Sequence, residues 1–108
     1  MSSPGLSLRA RVNGERYTLA IAGELDLATS PELEARAEQL CAEGRELVFD
    51  LSELAFIDST GLLAILKTRD LCAERLCGFF LTRGPPAVQR LFELTGLLDR
   101  LHFLDAPE

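Results

Sequence analysis

What most constrains this chain is a change of hydrophobic period around residue 58. Leu47-Val48-Phe49 is an uninterrupted apolar run of strand length, and Phe56-Ile57 packs the approach to a turn. Asp58-Ser59-Thr60-Gly61 follows, and beyond it Leu62, Ile65, Leu66, Ala73 and Leu76 recur at helical spacing. Strand, polar turn and helix in that order call for a layered fold, with helices laid on a sheet. Asp58 is placed to cap the helix, which puts Ser59 and Thr60 in its first turn. Backbone N–H groups there lack intrahelical partners and the helix dipole is positive, so the turn tolerates an added anion. A hydroxyl at this place can carry a phosphate without breaking the helix.

The flanking segments continue the alternation. Leu6, Leu8, Ala10 and Val12 alternate with polar or basic residues, as in a half-buried strand. Asn13-Gly14 is a hairpin signal, because both residues accept positive φ. Tyr17, Leu19 and Ile21 form the returning strand, ending near Gly23, and residues 24–28 are a loop. The next helix starts either with Thr29 and Glu32 at capping-box spacing or with Ser30 as N-cap and Pro31 at the first helical position. Leu33, Ala37, Leu40 and Cys41 make its apolar face, and Gly44 stops it.

A strand over Leu47–Asp50 leads to the Ser59 helix, which runs to about Leu76 and ends at Gly78. Phe79-Phe80-Leu81 is apolar on both faces, as in an interior strand. After the Arg83-Gly84-Pro85-Pro86 loop, Val88, Leu91, Phe92 and Thr95 lie on one stripe of a helix ended by Gly96. A turn and a short last strand fill residues 97–104. The expectation is one α/β domain over 1–108: a mixed central sheet with helices mainly on one face. Its first two strands are antiparallel and the later ones parallel. Residues 1–5 are expected to be flexible, and 105–108 to be a tail.

Composition narrows the function. A chain of 108 residues supports one core, and 47% hydrophobic residues argues against disorder. A net charge of −6 with no basic block argues against nucleic acid and suits a basic protein partner. Cys41, Cys72 and Cys77 form no CxxC pair and have no histidine at ligand spacing. Cys41 and Cys72 fall within helical patterns, where core filling explains them, and an odd number of cysteines fits a reducing cytoplasm. The N-terminus has no signal-peptide pattern, and no run is long enough to span a bilayer. With His102 the sole histidine, a histidine metal site is excluded. A Ser59–His102–Asp triad is conceivable, but Ser59 lacks the Gly-x-Ser-x-Gly elbow and a lone histidine near a final strand reads as structural. Neither phosphate-loop nor dinucleotide fingerprints occur. An enzyme is not expected.

Three short motifs stand in order: Gly23-Glu24-Leu25-Asp26, Asp58-Ser59-Thr60-Gly61, and Val88-Gln89-Arg90-Leu91-Phe92-Glu93-Leu94-Thr95-Gly96-Leu97. Together, over nearly the whole chain, they resemble the STAS family, and within it the free-standing bacterial anti-sigma factor antagonists. The resemblance implies that Ser59, directly after the aspartate, is phosphorylated by a partner anti-sigma factor that is also a serine kinase. The kinase would supply ATP and magnesium and a separate phosphatase would reset the switch, so this chain needs no cofactor. The resemblance places the Asp26 loop beside the serine turn, giving a partner face of Asp26, Asp58, Ser59, Thr60 and Gly61. There Asp58 holds the turn, touches the partner, or both. Thr60 is a second acceptor or a capping hydroxyl, and Gly61 leaves room for another chain to approach. Members often carry a C-terminal helix after the last strand, for which this sequence leaves no more than a stub. STAS domains attached to anion transporters are a poorer match. An alternative with the same fold is the small STAS subunit of a bacterial lipid-transport ABC complex, where a similar hydroxyl motif meets the ATPase.

Overall fold

Asn13 pairs with Arg16 across the first hairpin, which makes Gly14-Glu15 the two-residue loop. Gly14 alone takes positive φ, +65°; one glycine at the first turn position suffices to reverse the strands. The hairpin therefore lies one residue beyond the expected Asn13-Gly14 turn. The structure, a computed structural model, describes residues 2–3 and 5–105.

Its strands are β1 (Ser2–Ser3), β2 (Leu6–Asn13), β3 (Arg16–Leu25), β4 (Glu46–Asp50), β5 (Leu54–Ile57), β6 (Phe79–Thr82) and β7 (Phe103–Leu104). The helices are α1 (Ser30–Cys41), α2 (Ser59–Glu74) and α3 (Pro86–Leu94), with a 3-10 turn at Leu98–Arg100. One mixed sheet runs β1-β2-β3-β4-β6-β7, and β5 pairs with the far half of β3. The β1–β2 and β2–β3 pairings are antiparallel and the rest parallel. Within the stretch expected to be flexible, Ser2–Ser3 pair with β2. Met1, Pro4 and the tail beyond Asp105 lie outside the described residues.

Register explains the layering. Leu19, Phe49 and Leu81 lie in one cross-strand row, and Thr18, Val48 and Phe80 in the next. Strand side chains alternate between faces, so the first row faces the helices. Leu33, Ala37 and Leu40 of α1, Ile65 of α2, and Val88 and Phe92 of α3 join it in one buried cluster. Every fully buried leucine-sized side chain there contributes about 1.5–3 kcal/mol. β6 is interior, between β4 and β7.

Five features depart from the sequence pattern. β5 was expected only as an approach to the turn; its buried residues are Leu54 and Ile57, with Ala55 and Phe56 exposed between them, which is not a period of two. A bulge between Gly23 and Glu24 lets β3 switch partners from β4 to β5, so Glu24 and Leu25 are strand and not loop. Ala73 on α2 and Leu76 just beyond its end are exposed, and the buried face of α2 is Gly61, Leu62, Ala64, Ile65, Thr68 and Cys72. On α3, Thr95 is exposed and turns its hydroxyl back to the Leu91 carbonyl at 2.8 Å.

The fifth departure is the end of α2. Leu76, not Gly78, takes the left-handed conformation, with φ +58°. The Leu76 N–H donates to Ala73 and the Cys77 N–H to Cys72, the bond pair that closes a helix through a left-handed residue. α3 closes by the same pair of bonds, Gly96 to Glu93 and Leu97 to Phe92, and there a glycine holds the left-handed position. Gly78 instead sits under Phe80, whose Cε2 would be 2.9 Å from an added Cβ. A leucine in this region costs about 1–2 kcal/mol, and Leu76 is 94% exposed, so its side chain returns little. Leu76→Gly is expected to gain about 1 kcal/mol, raising Tm by about 4 °C. Thermal unfolding followed by circular dichroism checks this.

Candidate functional site

Leu25 and Ile57 are paired in parallel, and the residue after each is an aspartate. This register sets Asp26 and Asp58 side by side where both strands end. The Asp58 N–H donates to the Leu25 carbonyl at 3.2 Å, which bonds the serine turn to the Asp26 loop. Each aspartate opens a helix. Asp58 is the N-cap of α2, with extended backbone and its Oδ1 accepting the Gly61 N–H at 2.9 Å.

Asp26 does the corresponding work for α1 from a turn earlier. Its Oδ1 accepts from the Ala28 N–H at 3.0 Å and the Thr29 N–H at 3.1 Å. Its carbonyl accepts the Ser30 N–H at 2.8 Å and the Ser30 hydroxyl at 2.7 Å. Neither expected cap is made. Thr29 holds the N-cap position with no side-chain bond to the helix. Its buried hydroxyl turns back instead, donating to the Glu24 carbonyl and accepting the Asp26 N–H, both at 2.9 Å. Capping-box spacing gave no sign of this, because the tie runs backward into the loop. Thr29→Val keeps the shape and removes both bonds, leaving the part-buried Glu24 carbonyl and Asp26 N–H short of partners. The expected loss is about 2 kcal/mol, with Thr29→Ser restoring most of it; urea unfolding of the three proteins measures both.

Gly61 is buried, and an added Cβ would stand 2.6 Å from the Leu25 carbonyl oxygen and 2.9 Å from Ile57 Cγ1 and Leu25 Cγ. The room it leaves is filled by the protein's own chain. This corrects the expectation that Gly61 opens the backbone to a partner: it seats α2 on β3 and β5. Ser59 is exposed and Thr60 half-buried. Among the described residues, the Ser59 hydroxyl has no hydrogen bond, and the N–H groups of Ser59 and Thr60 have no acceptor. His102 makes a ring contact with Phe80 at 5.0 Å and has no bond to Ser59.

Apolar surface lies beside this turn and on the loop and strand next to it. Leu27, Phe56 and Leu63 are 73%, 49% and 50% exposed. An open groove of about 400 Å³ runs from Ser59 and Thr60 along Leu63 and Leu66 to Leu97. A second, of about 290 Å³, lies between Phe56 on β5 and Leu94 on α3. The sequence reading placed none of these in the site. Their one signal was position: Leu63 falls off the buried stripe of α2.

The family profile for the STAS domain matches residues 7–107. The chain belongs to the STAS family. This STAS domain is 29% identical over 104 residues to the anti-sigma-B factor antagonist of Staphylococcus aureus, covering 95% of this chain and 96% of that protein. A crystal structure of an anti-sigma factor antagonist from Mycobacterium paratuberculosis superposes with a TM-score of 0.86 at 27% identity, covering 98% of this chain and 92% of the other. The Bacillus cell fate determinant SpoIIAA, in its phosphorylated form, has a TM-score of 0.71 at 22% identity, over 95% of this chain and 92% of its own. That last likeness is one of fold. Among the described residues, no helix of this STAS domain is long and apolar enough to cross a membrane.

Proposed function

We propose that this STAS domain is an anti-sigma factor antagonist of the bacterial cytoplasm, a binding module and not a catalyst. Its unphosphorylated form binds an anti-sigma factor that is also a serine kinase, and so frees a sigma factor. Phosphorylation of Ser59 ends the binding, and a phosphatase restores it. The observation that carries this reading is the exposed, unbonded Ser59 hydroxyl at a helix N-terminus, with exposed Leu63 in the groove beside it and exposed Leu27 and Phe56 on the neighbouring loop and strand. The relatives named above are antagonists of anti-sigma factors, which supports it further.

Phosphate would add about −1.5 to −2 charge at pH 7 and three acceptor oxygens. The acceptor-less N–H groups of Ser59 and Thr60 and the dipole of α2 offset that charge within the domain. A partner resting on the apolar surface would have to bury it. Asp58 and Asp26 spend their carboxylates holding the two helix starts. In this reading they shape the face and add negative charge beside the phosphate. Thr60 contributes through the groove wall, and Gly61 only by seating the helix.

The test is capture of tagged wild-type and Ser59→Glu protein from the native host. A small kinase-like protein held by the wild type and lost by the glutamate variant is the expected result. Capture of an ABC ATPase with its membrane partners would replace this reading with the transport one.

A further inference from the structure

The face of the sheet turned away from the helices carries a small polar hollow. In the β2–β3 register Arg9 stands opposite Ala20 and Arg11 opposite Thr18. Strand side chains alternate, so these four share the face opposite to the one where Leu8 and Leu19 join the core. Arg9 and Arg11 are two residues apart on one strand, so their stems rise side by side, roughly 7 Å apart. Both are exposed, and the short Ala20 side chain leaves space between them and β3. The result is a cavity of about 260 Å³ lined by Arg9, Ala10, Arg11, Thr18 and Ala20. Thr18 is 2% exposed, yet its hydroxyl has no hydrogen-bond partner among the described residues. Buried hydroxyls are ordinarily paired. This one lies in a cavity that also presents two cations.

We propose that this cavity binds a small oxyanion, a phosphate or carboxylate group, between the guanidinium groups of Arg9 and Arg11, with the Thr18 hydroxyl donating to it. A guanidinium presents paired donors that match the oxygens of either group, and a hydroxyl rotates to suit. The Thr18 oxygen is sealed from solvent, so the exposed arms of Arg9 and Arg11 shift as the anion enters. The neighbouring carboxylates do not fill this place. Glu53 lies 3.6 Å from Arg9, but the two side chains are 66% and 71% exposed, and such a pair is weak. Asp50, whose carboxylate feels the Arg11 charge, already accepts the Ser52 N–H at 3.0 Å and the Thr82 hydroxyl at 2.9 Å. An oxyanion held here ties β2 to β3. Binding the folded chain alone, it stabilises the domain and leaves the Ser59 face uncovered.

The test is an amide NMR titration of the full chain with sodium phosphate and, separately, sodium succinate, each against sodium chloride at matched ionic strength. Saturable shifts of the Thr18 and Ala20 amides with phosphate or succinate are expected, with Ser59 and Thr60 unmoved and no saturation by chloride. Thr18→Val should raise the half-saturating concentration about 10-fold, and Arg11→Gln at least as much. Thr18→Val keeps the shape and replaces a hydroxyl that has no partner, so its Tm without added oxyanion should equal or exceed that of the wild type. That comparison separates lost binding from a failure to fold. Shifts confined to Ser59 and Thr60 would place the anion at the start of α2 and overturn the proposal. So would shifts that chloride reproduces, half-saturation unchanged in both variants, or a lower Tm for Thr18→Val, which would mean that the protein itself holds the hydroxyl.

Discussion

Gly61→Ala is expected to destabilise the domain by about 2 kcal/mol and lower Tm by about 8 °C. Alanine is the better helix former and would by itself add up to about 1 kcal/mol. The added methyl, however, lands 2.6 Å from the Leu25 carbonyl oxygen, closer than any real contact of that kind. That oxygen is not free to retreat, because it accepts the Asp58 N–H and belongs to β3 where it pairs with β5. Leu25 is wholly buried and Ile57 nearly so, leaving no empty side to relax into. The helix start must tilt away, stretching the bond between the serine turn and the Asp26 loop. Binding at the Ser59 face should fall with stability. Paired urea curves for the wild type and variant give the number; equal midpoints would show that α2 does not rest on Leu25 as described.

Ser59→Glu is expected to do the reverse, leaving the fold alone and removing the partner. Ser59 is exposed, and its hydroxyl holds nothing that the fold needs. A carboxylate in the first turn of a helix is favoured by about 0.3–1 kcal/mol through the dipole, and the adjacent Asp58 carboxylate offsets much of that. Tm should stay within about 2 °C of the wild type. At an interface the same charge must be desolvated against Leu27, Phe56 and Leu63, which costs at least about 2 kcal/mol, or about 30-fold in Kd. Glutamate carries less charge than phosphate, so the phosphorylated protein should bind more weakly still. A collapse in Tm for Ser59→Glu would sink the idea that the switch works by local blocking and not by unfolding.

How much of this was legible in the sequence depended on whether the signal was local. The change of period at Asp58 and the capping aspartate are set by neighbours in the chain, and the structure has both. The parallel order of β3, β4 and β6 followed from alternating strands and helices. β5 was not legible as a strand, because Leu54 and Ile57 straddle two exposed residues and its partner is made available only by a bulge at Gly23. Leu76 was missed for a different reason: nothing about a leucine announces a left-handed residue, whereas Gly78 two positions on does. In the site, the serine, its cap and the Asp26 loop could be named from their motifs. Two physical roles could not be read from them. Gly61 is small for the sake of Leu25, and the Thr29 hydroxyl ties the loop backward where spacing suggested a forward cap. Both are contacts between segments far apart in the chain or run against its direction.

The most direct test of the central claim is a calorimetric titration of the captured, purified anti-sigma factor with two forms of this STAS domain, unmodified and stoichiometrically phosphorylated at Ser59. Saturable binding by the unmodified form is expected, with at least about 100-fold weaker binding by the phosphorylated form and closely similar Tm values for the two. Equal affinities would contradict it, and would mean that the exposed serine at the start of α2 is not where this protein is switched.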